Sequence, residues 1–177
     1  MEQVSGGKAA KHPTQPRVVV SAATTKHRSL GSGQAILPIG AHYHQSPTEV
    51  IEIVRQGMPA ERLVEIGVCL HRSKEWLFHT LKLPRSTMDH KIRQHQRLSP
   101  EHSERVVGLE RLIGQVQAMV EDAEAASDFN ACRWVGQWLD RPVPALGGAK
   151  PADFMDTLQG QALVSRLLAQ SQAGVFA

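Results

Sequence analysis

The chain has 177 residues, of which 41% are apolar and 5% aromatic, with 20 Lys and Arg against 17 Asp and Glu. This length suits one sizeable domain or two small ones that share a core, and no run approaches the roughly 18 apolar residues of a membrane span. The stretch Val18-Val19-Val20 is too short for a signal peptide, so we expect a cytoplasmic protein with no membrane partner. Cys69 and Cys132 are isolated in the sequence, which indicates neither a disulfide nor a thiolate metal site.

The charge is unevenly distributed. Residues 1–44 carry a net charge of +4, residues 45–70 of −2, residues 71–97 of +5 and residues 98–177 of −4. Two basic blocks therefore precede an acidic body, which indicates one surface for a polyanion and another for a different partner.

Residues 1–44 are rich in Gly, Ala, Ser, Thr, Pro and basic residues and show no apolar periodicity. Such a segment buries too little surface to offset the entropy of ordering, so we predict a disordered basic arm. It is either a solvated tail without a role or an arm that adds non-specific attraction for phosphate.

Helices are expected from Ser46 onward. Ser46, Pro47 and Glu49 form the pattern of a capping box with Pro in the first turn, and Gly57 is placed to end that helix. A second helix should begin near Pro59 and pack through residues at helical spacing: Leu63, Ile66 and Leu70.

The basic middle of the chain has the spacing of a helix-turn-helix. Residues 73–82 and 85–95 are predicted helices separated by Leu83-Pro84, with Met88 and Ile92 facing inward. The residues predicted to contact DNA are on or beside the opposite face: Arg85, Ser86, Thr87, His90, Lys91, Arg93, Gln94 and Arg97. An exposed helix pair without a ligand is the alternative, and the local charge favours DNA.

A long helix is predicted from Ser99-Pro100-Glu101 to about Val120, with a heptad-like apolar seam. The seam consists of Val106, Leu109, Ile113, Val116 and Val120, widened by Val107, Leu112 and Met119. It either packs into the core of its own domain or forms a homodimer interface, which would suit a protein that reads a palindrome. Both hold if the helix joins the two halves.

The carboxy-terminal third is predicted to be a compact helical module. A helix from Ser127 should carry Phe129 and the core residues Trp134 and Trp138, and Gly160 should separate a short helix from the last one. The last helix should pack through Leu163, Val164, Leu167 and Leu168, with Gly174 as its left-handed cap. We assign a structural role to Trp138, Leu146, Gly147, Gly148 and Gly160, with positive φ in the Leu146-Gly147-Gly148 turn.

No catalytic equipment is visible. The nine His residues include the pair His42-x-His44, but no His pair at helical spacing has a nearby carboxylate in a convincing metal site, and no nucleophile motif or phosphate-binding Gly loop occurs. We therefore expect no catalytic residue, no metal and no cofactor, and do not expect an enzyme.

Over residues 47–177 the sequence resembles antitoxins of the Xre/MbcA/ParS type, the partners of RES-domain toxins. In the carboxy-terminal half the resemblance is carried by Ser103-Glu104-Arg105-Val106, Trp138-Leu139, Pro142, Leu146-Gly147-Gly148, Pro151, Thr157, Gly160, Val164, Leu168 and Gly174-Val175-Phe176-Ala177. In the helix-turn-helix half it is carried by Leu77, Leu81, Leu83, Arg85, Thr87, Met88, Lys91 and Ile92.

The resemblance implies an all-α fold in which an Xre-like helix-turn-helix, residues 45–98, is joined by a long helix to a toxin-binding module, residues 99–177. It also implies an antitoxin that blocks a cognate RES-domain toxin, and a toxin that consumes NAD or ADP-ribosylates its target. The antitoxin is further expected to bind operator DNA as a repressor. The expected toxin contacts are Arg166, Gln170, Gln172, Gly174, Val175 and Phe176. A free-standing helix-turn-helix regulator whose carboxy-terminal module serves dimerisation is the alternative.

Four positions depart from the family pattern. Lys82 stands where Gly is usual in the turn and Pro84 where a capping Ser is common. Gln170 replaces a frequent basic residue, and Phe176 replaces Tyr. The first two put the turn geometry in doubt, so a protein that binds toxin without binding DNA is a third interpretation.

Overall fold

The computed structural model describes residues 37–122 and 129–172, and within these ranges the fold is all-α, as predicted. Seven α-helices follow one another: α1 Pro47–Gln56, α2 Arg62–Leu70, α3 Lys74–Thr80, α4 Arg85–Arg93, α5 Pro100–Asp122, α6 Ala131–Trp138 and α7 Leu158–Gln172. Short 3-10 helices occur at Ala41–Tyr43, Pro144–Leu146 and Pro151–Phe154. None of the helices in the described ranges is long and apolar enough to cross a membrane.

Two of the predicted helix starts, those of α1 and α3, are confirmed by their caps, whereas α2 begins at Arg62 and not near Pro59. The Ser46 hydroxyl accepts a hydrogen bond from the Glu49 amide at 3.4 Å, and the Ser46 amide donates to the Glu49 carboxylate at 2.8 Å. Ser73 caps α3 by accepting from the Trp76 amide at 3.1 Å. Gly57 ends α1 with a φ of 79°. Local signals therefore fix these helix ends, because each cap satisfies a backbone group that the helix leaves unpaired.

One apolar core runs through both halves of the described fold. It joins Leu63, Ile66, Leu70, Leu77, Leu81, Met88, Val106, Leu109, Ile113, Val116, Val135, Leu139, Val164 and Leu168. The predicted seam of α5 lies at its centre, and Val106, Leu109 and Ile113 are fully buried within a single chain. This part of the seam packs into the protein's own core and is not available to a second copy.

Helix α6 is fixed against the helix-turn-helix half. The Arg72 guanidinium donates to the Gly136 carbonyl at 2.8 Å and pairs with the Asp140 carboxylate at 2.8 Å. A Cβ at Gly136 would collide with the carbonyl oxygen of Leu70, so the backbones of α2 and α6 approach closely there.

The predicted arm of residues 1–44 is corrected at its end. The 3-10 helix Ala41–Tyr43 packs on α5, His42 is 4% exposed, and its Nε2 lies 3.5 Å from the Glu110 carboxylate. A Cβ at Gly114 would collide with the Gly40 carbonyl, which allows this close packing. Ile39 packs against the core and its carbonyl accepts from the Gln117 amide at 3.4 Å, so the contact combines one apolar side chain with polar and backbone groups. A single apolar residue gives no periodicity in the sequence. Residues 1–36 lie outside the described ranges.

The expectation about the two cysteines is wrong. Cys69 of α2 and Cys132 of α6 are joined in a disulfide, with their Cα atoms 5.3 Å apart across 63 residues of sequence. Spacing rules for cysteines apply along the sequence, whereas this pair is brought together by the packing of α6 on α2.

The predicted role of Gly160 as a separator is also wrong. Gly160 lies in the first turn of α7, and the chain breaks earlier, at residues 155–157. Thr157 caps the helix through its hydroxyl, which accepts from the Gly160 amide at 3.1 Å. A Cβ at Gly160 would collide with the Phe154 carbonyl oxygen. The glycine is needed for close packing instead of a helix break.

The aromatic residues of α6 lie at the edge of the core. Trp134 and Trp138 stack at 5.8 Å between ring centroids and 11° between planes, and both are half-buried. The prediction that this helix carries Phe129 is wrong, because the Asn130 side chain caps α6 by accepting from the Arg133 amide at 2.8 Å and the helix begins at Ala131. Phe129 precedes the helix and is 40% exposed. Trp138 therefore packs against the core without being enclosed by it.

The turn after α6 has the predicted backbone. Gly147 and Gly148 have φ values of 65° and 85°, and nothing lies within 4 Å of a Cβ at either position. The glycines therefore serve the turn through their backbone conformation. Leu146 beside them is half-buried.

Candidate functional site

The turn between α3 and α4 is intact despite its two departures. Lys82 has a φ of 49°, the left-handed conformation that Gly usually supplies, and the Leu83 amide donates to the Phe78 carbonyl at 2.8 Å. Pro84 is extended, with φ −65° and ψ 112°, and precedes the first residue of α4. Lys82 therefore takes up the conformation of the missing Gly, at the strain expected of a side chain there.

An arginine of α5 supports this turn. The Arg105 guanidinium donates to the carbonyls of Leu81 at 3.2 Å and Lys82 at 3.1 Å. These carbonyls follow the end of α3 and would otherwise lack helical partners. Arg105 belongs to the Ser103-Glu104-Arg105-Val106 motif of α5, so this motif has a structural role in supporting the turn.

Helix α4 presents a polar face to solvent. Met88 is fully buried beneath it and Ile92 is half-buried, as predicted. Seven of the eight predicted DNA contacts are exposed: Arg85, Ser86, Thr87, His90, Arg93, Gln94 and Arg97. Guanidinium, hydroxyl, imidazole and amide groups can bind phosphates and base edges, so this face has the chemistry of a recognition helix.

Two of the predicted DNA contacts also hold the chain after α4. The Lys91 ammonium donates to the Arg97 carbonyl at 2.8 Å, and the Arg97 guanidinium donates to the Gly57 carbonyl at 2.5 Å. The Leu98 amide donates to the Met58 carbonyl at 2.8 Å beside them. Lys91 and Arg97 thus connect α4 to the loop between α1 and α2, which distinguishes them from Arg93.

A charged cluster at the start of the helix pair was missed by the sequence interpretation. Lys74 of α3 donates to the Asp89 carboxylate of α4 at 2.5 Å, and Arg85 lies 3.8 Å from the same carboxylate. The Lys74 hydrogen bond, with the charges of Lys74, Arg85 and Arg93, holds the pKa of Asp89 below its ordinary value against the opposing effect of burial. The spacing of Arg85 and Asp89 was a visible signal, whereas Lys74 joins only through the fold.

A second cluster lies inside the protein. Glu110 is fully buried and accepts two hydrogen bonds from Arg62, at 2.6 and 2.9 Å. Arg62 also donates to Glu65 at 2.7 Å, and Nδ1 of His42 donates to the amide oxygen of Gln45 at 2.6 Å. Burial works to lower the pKa of Arg62, but the bonds and charges of Glu110 and Glu65 outweigh it and raise that pKa. The cluster ties α2 and α5 to the 3-10 helix.

Helix α7 offers the second candidate surface. Arg166 and Gln170 are exposed on it, and Gln172 is its last residue. The predicted contacts Gly174, Val175 and Phe176 lie outside the described residues.

Buried amides fix the inner face of α7 to α5. The Gln161 amide donates to the carbonyls of Arg105 and Met155, both at 2.9 Å. Ser165 donates to the Gln115 side chain at 2.7 Å. These hydrogen bonds fix the orientation of α7 on α5, with Arg166 and Gln170 on its exposed side.

No cluster of three or more His, Cys, Asp or Glu side chains placed to hold a metal occurs in residues 37–122 and 129–172. His42 is committed to Glu110 and Gln45.

Comparison with known proteins matches both halves. The antitoxin Xre-like helix-turn-helix domain model matches residues 49–111, and the antitoxin Xre/MbcA/ParS C-terminal toxin-binding domain model matches residues 115–174. A protein of Sphingobium sp. (strain YBL2), named Prs ADP-ribosylating antitoxin, is 40% identical over 154 residues, which cover 87% of this chain and 97% of that one.

Proposed function

The chain belongs to the Xre/MbcA/ParS family of antitoxins, and we propose that it neutralises a RES-domain toxin by direct binding and represses its own operon. The observation that carries the proposal is the pair of exposed polar surfaces, on α4 and on α7, attached to one continuous core. The family resemblance assigns the first surface to DNA and the second, with the carboxy-terminal tail, to the toxin.

The toxin in this proposal uses NAD and ADP-ribosylates its target. Support comes from the name of the Sphingobium relative, which is that of a Prs ADP-ribosylating antitoxin. Arg166, Gln170, Gln172 and the tail residues 174–176 would obstruct the cleft in which the toxin binds NAD.

On the DNA side, α4 would lie in the major groove. Its exposed N-terminal residues Arg85, Ser86 and Thr87 would meet base edges or phosphates, with His90, Arg93 and Gln94 further along the groove. Lys91 and Arg97 stay in the proposed interface, although both also hold the chain behind α4.

A homodimer is part of the same proposal. Two copies are needed to read a palindromic operator, since one helix-turn-helix recognises one half-site. The buried seam of α5 cannot supply the interface, so the contact would involve another surface. Light scattering of the purified protein checks this point, and a monomer at every concentration tested would contradict it.

The toxin assignment is tested by co-expression with the adjacent gene. We expect the two products to copurify and the chain to restore growth that the neighbouring product alone prevents. A neighbour that lacks a RES domain, or a pair that forms no complex and relieves no toxicity, would contradict the proposal.

The DNA assignment is tested by Arg93→Ala. The loss of one phosphate contact should weaken binding to the upstream promoter and reduce the slope of log affinity against log salt by about 0.9. Arg133→Ala, which removes an exposed arginine from α6, is the matched control and should leave the slope unchanged. An unchanged slope in Arg93→Ala would remove this residue from the DNA interface.

A further inference from the structure

Two cations lie at the points where a helix-turn-helix meets DNA. Lys74 is the first residue of α3 and Arg85 the first residue of α4. In this motif the first helix crosses the phosphate backbone and the N-terminal residues of the second enter the major groove. Lys74 and Arg85 therefore lie where these two helices would meet the DNA.

Both cations already have a carboxylate partner. Asp89 holds Lys74 at 2.5 Å and faces Arg85 at 3.8 Å, while Glu75 lies 3.6 Å from Arg85 on its other side. The Asp89 side chain is 20% exposed, between the two helices, whereas Arg85 is 70% exposed. A phosphate that binds either cation must compete with these carboxylates. Arg93 also acts on Asp89 through its charge, but it lies within ion-pair distance of no carboxylate in the described ranges.

We propose that Asp89 limits sequence-independent DNA binding by holding Lys74 and Arg85 away from phosphates. This inference rests on the proposed DNA binding. Non-specific affinity comes from the number of phosphates that a protein neutralises, so a cation that is already paired adds less to it. The specific complex depends also on contacts that α4 side chains other than Arg85 make with base edges, and Asp89 does not pair with those side chains. Asp89 thus lowers the affinity for non-specific DNA more than the affinity for the operator. Selectivity then arises from an interaction that disfavours the competing DNA.

The test uses Asp89→Asn, which keeps the size of the side chain and removes its charge. The probes are the duplex immediately upstream of this gene and a scrambled duplex of the same length and composition. We expect Asp89→Asn to bind the scrambled duplex about threefold to tenfold more tightly near 0.1 M salt and to steepen its salt slope by about 0.9 to 1.8. Affinity for the upstream duplex should rise less, so the ratio of the two affinities falls. Asp89→Glu, which retains the carboxylate, should resemble the wild type.

A second comparison does not depend on the folding of Asp89→Asn. In the otherwise unchanged chain, Arg85→Gln should weaken binding to the scrambled duplex less than Arg93→Gln does. Arg85 lies within 4 Å of the Glu75 and Asp89 carboxylates, whereas Arg93 lies that close to no carboxylate in the described ranges. A further comparison requires a folded Asp89→Asn chain: adding Arg85→Gln to it should return the salt slope toward the wild-type value.

Three results would overturn the inference. An unchanged affinity and slope in folded Asp89→Asn, or an equal or larger loss in Arg85→Gln than in Arg93→Gln, would overturn it while leaving the proposed DNA binding intact. A wild-type chain that binds neither duplex would overturn the proposed DNA binding and this inference with it.

Discussion

Glu110 and Asp89 both hold two basic side chains, and they differ in burial. Glu110 is fully buried and bound by Arg62 at 2.6 and 2.9 Å, with His42 at 3.5 Å. Asp89 is 20% exposed and meets Lys74 and Arg85 at the protein surface. The buried partners cannot exchange their contacts for water or phosphate, whereas the exposed ones can. The same residue types therefore stabilise the fold in one place and can govern a binding surface in the other.

The largest effect is expected from breaking the buried cluster. Glu110→Ala leaves Arg62 and His42 without their carboxylate inside the core, which should lower the free energy of unfolding by about 3–5 kcal/mol. Denaturant unfolding measures this value. Glu104→Ala, at an exposed position on the same helix, is the control and should change it by less than about 0.5 kcal/mol. If Glu110→Ala lowered the free energy of unfolding as little as the control does, burial would not explain the difference between the Glu110 and Asp89 clusters.

A smaller effect of opposite sign is expected beside the exposed cluster. Lys82→Gly removes the side chain from a left-handed position with a φ of 49°, which should raise the free energy of unfolding by up to about 1 kcal/mol. Denaturant unfolding again measures the change. Lys91→Gly, within α4, should lower stability instead. A destabilised Lys82→Gly would mean that contacts of the lysine outweigh its backbone strain.

The smallest effect concerns pH. The folded pKa of Asp89 is lowered, so its contribution to stability is present above the ordinary value of about 4 and is lost as the pH falls through the lowered pKa. The unfolding temperatures of wild type and Asp89→Asn should therefore differ at neutral pH and converge in acid. A difference that stays constant from neutral pH into acid would show that the carboxylate charge is not its source.

Local features of the sequence predicted most of the helices. The caps at Ser46 and Ser73 and the apolar spacing of α2 to α5 depend on residues within a turn or two of each other, so they are visible without the fold. The same holds for the exposed face of α4 opposite Met88. The family resemblance then identified both halves, which the domain matches confirm.

Contacts between distant residues could not be predicted in this way. The Cys69–Cys132 disulfide spans 63 residues, and the buried pair of Arg62 and Glu110 spans 48. The sequence indicates a helix break at Gly160 because the conformational freedom of glycine is a local property. The close approach of the Phe154 carbonyl to Gly160 is a contact of the folded chain and is not visible in the sequence. These features require the packing of α5, α6 and α7 to be known first.

The central claim is that DNA and toxin use separate surfaces of one chain. The direct measurement records growth and a promoter reporter together in cells that express the adjacent gene. We expect Ser86→Ala/Arg93→Ala on α4 to derepress the reporter while still restoring growth. We expect Arg166→Glu/Gln170→Glu on α7 to lose growth rescue, while the purified variant still binds the promoter. If either variant lost both activities while remaining folded, or if neither variant lost any, the separation of the two surfaces would be contradicted.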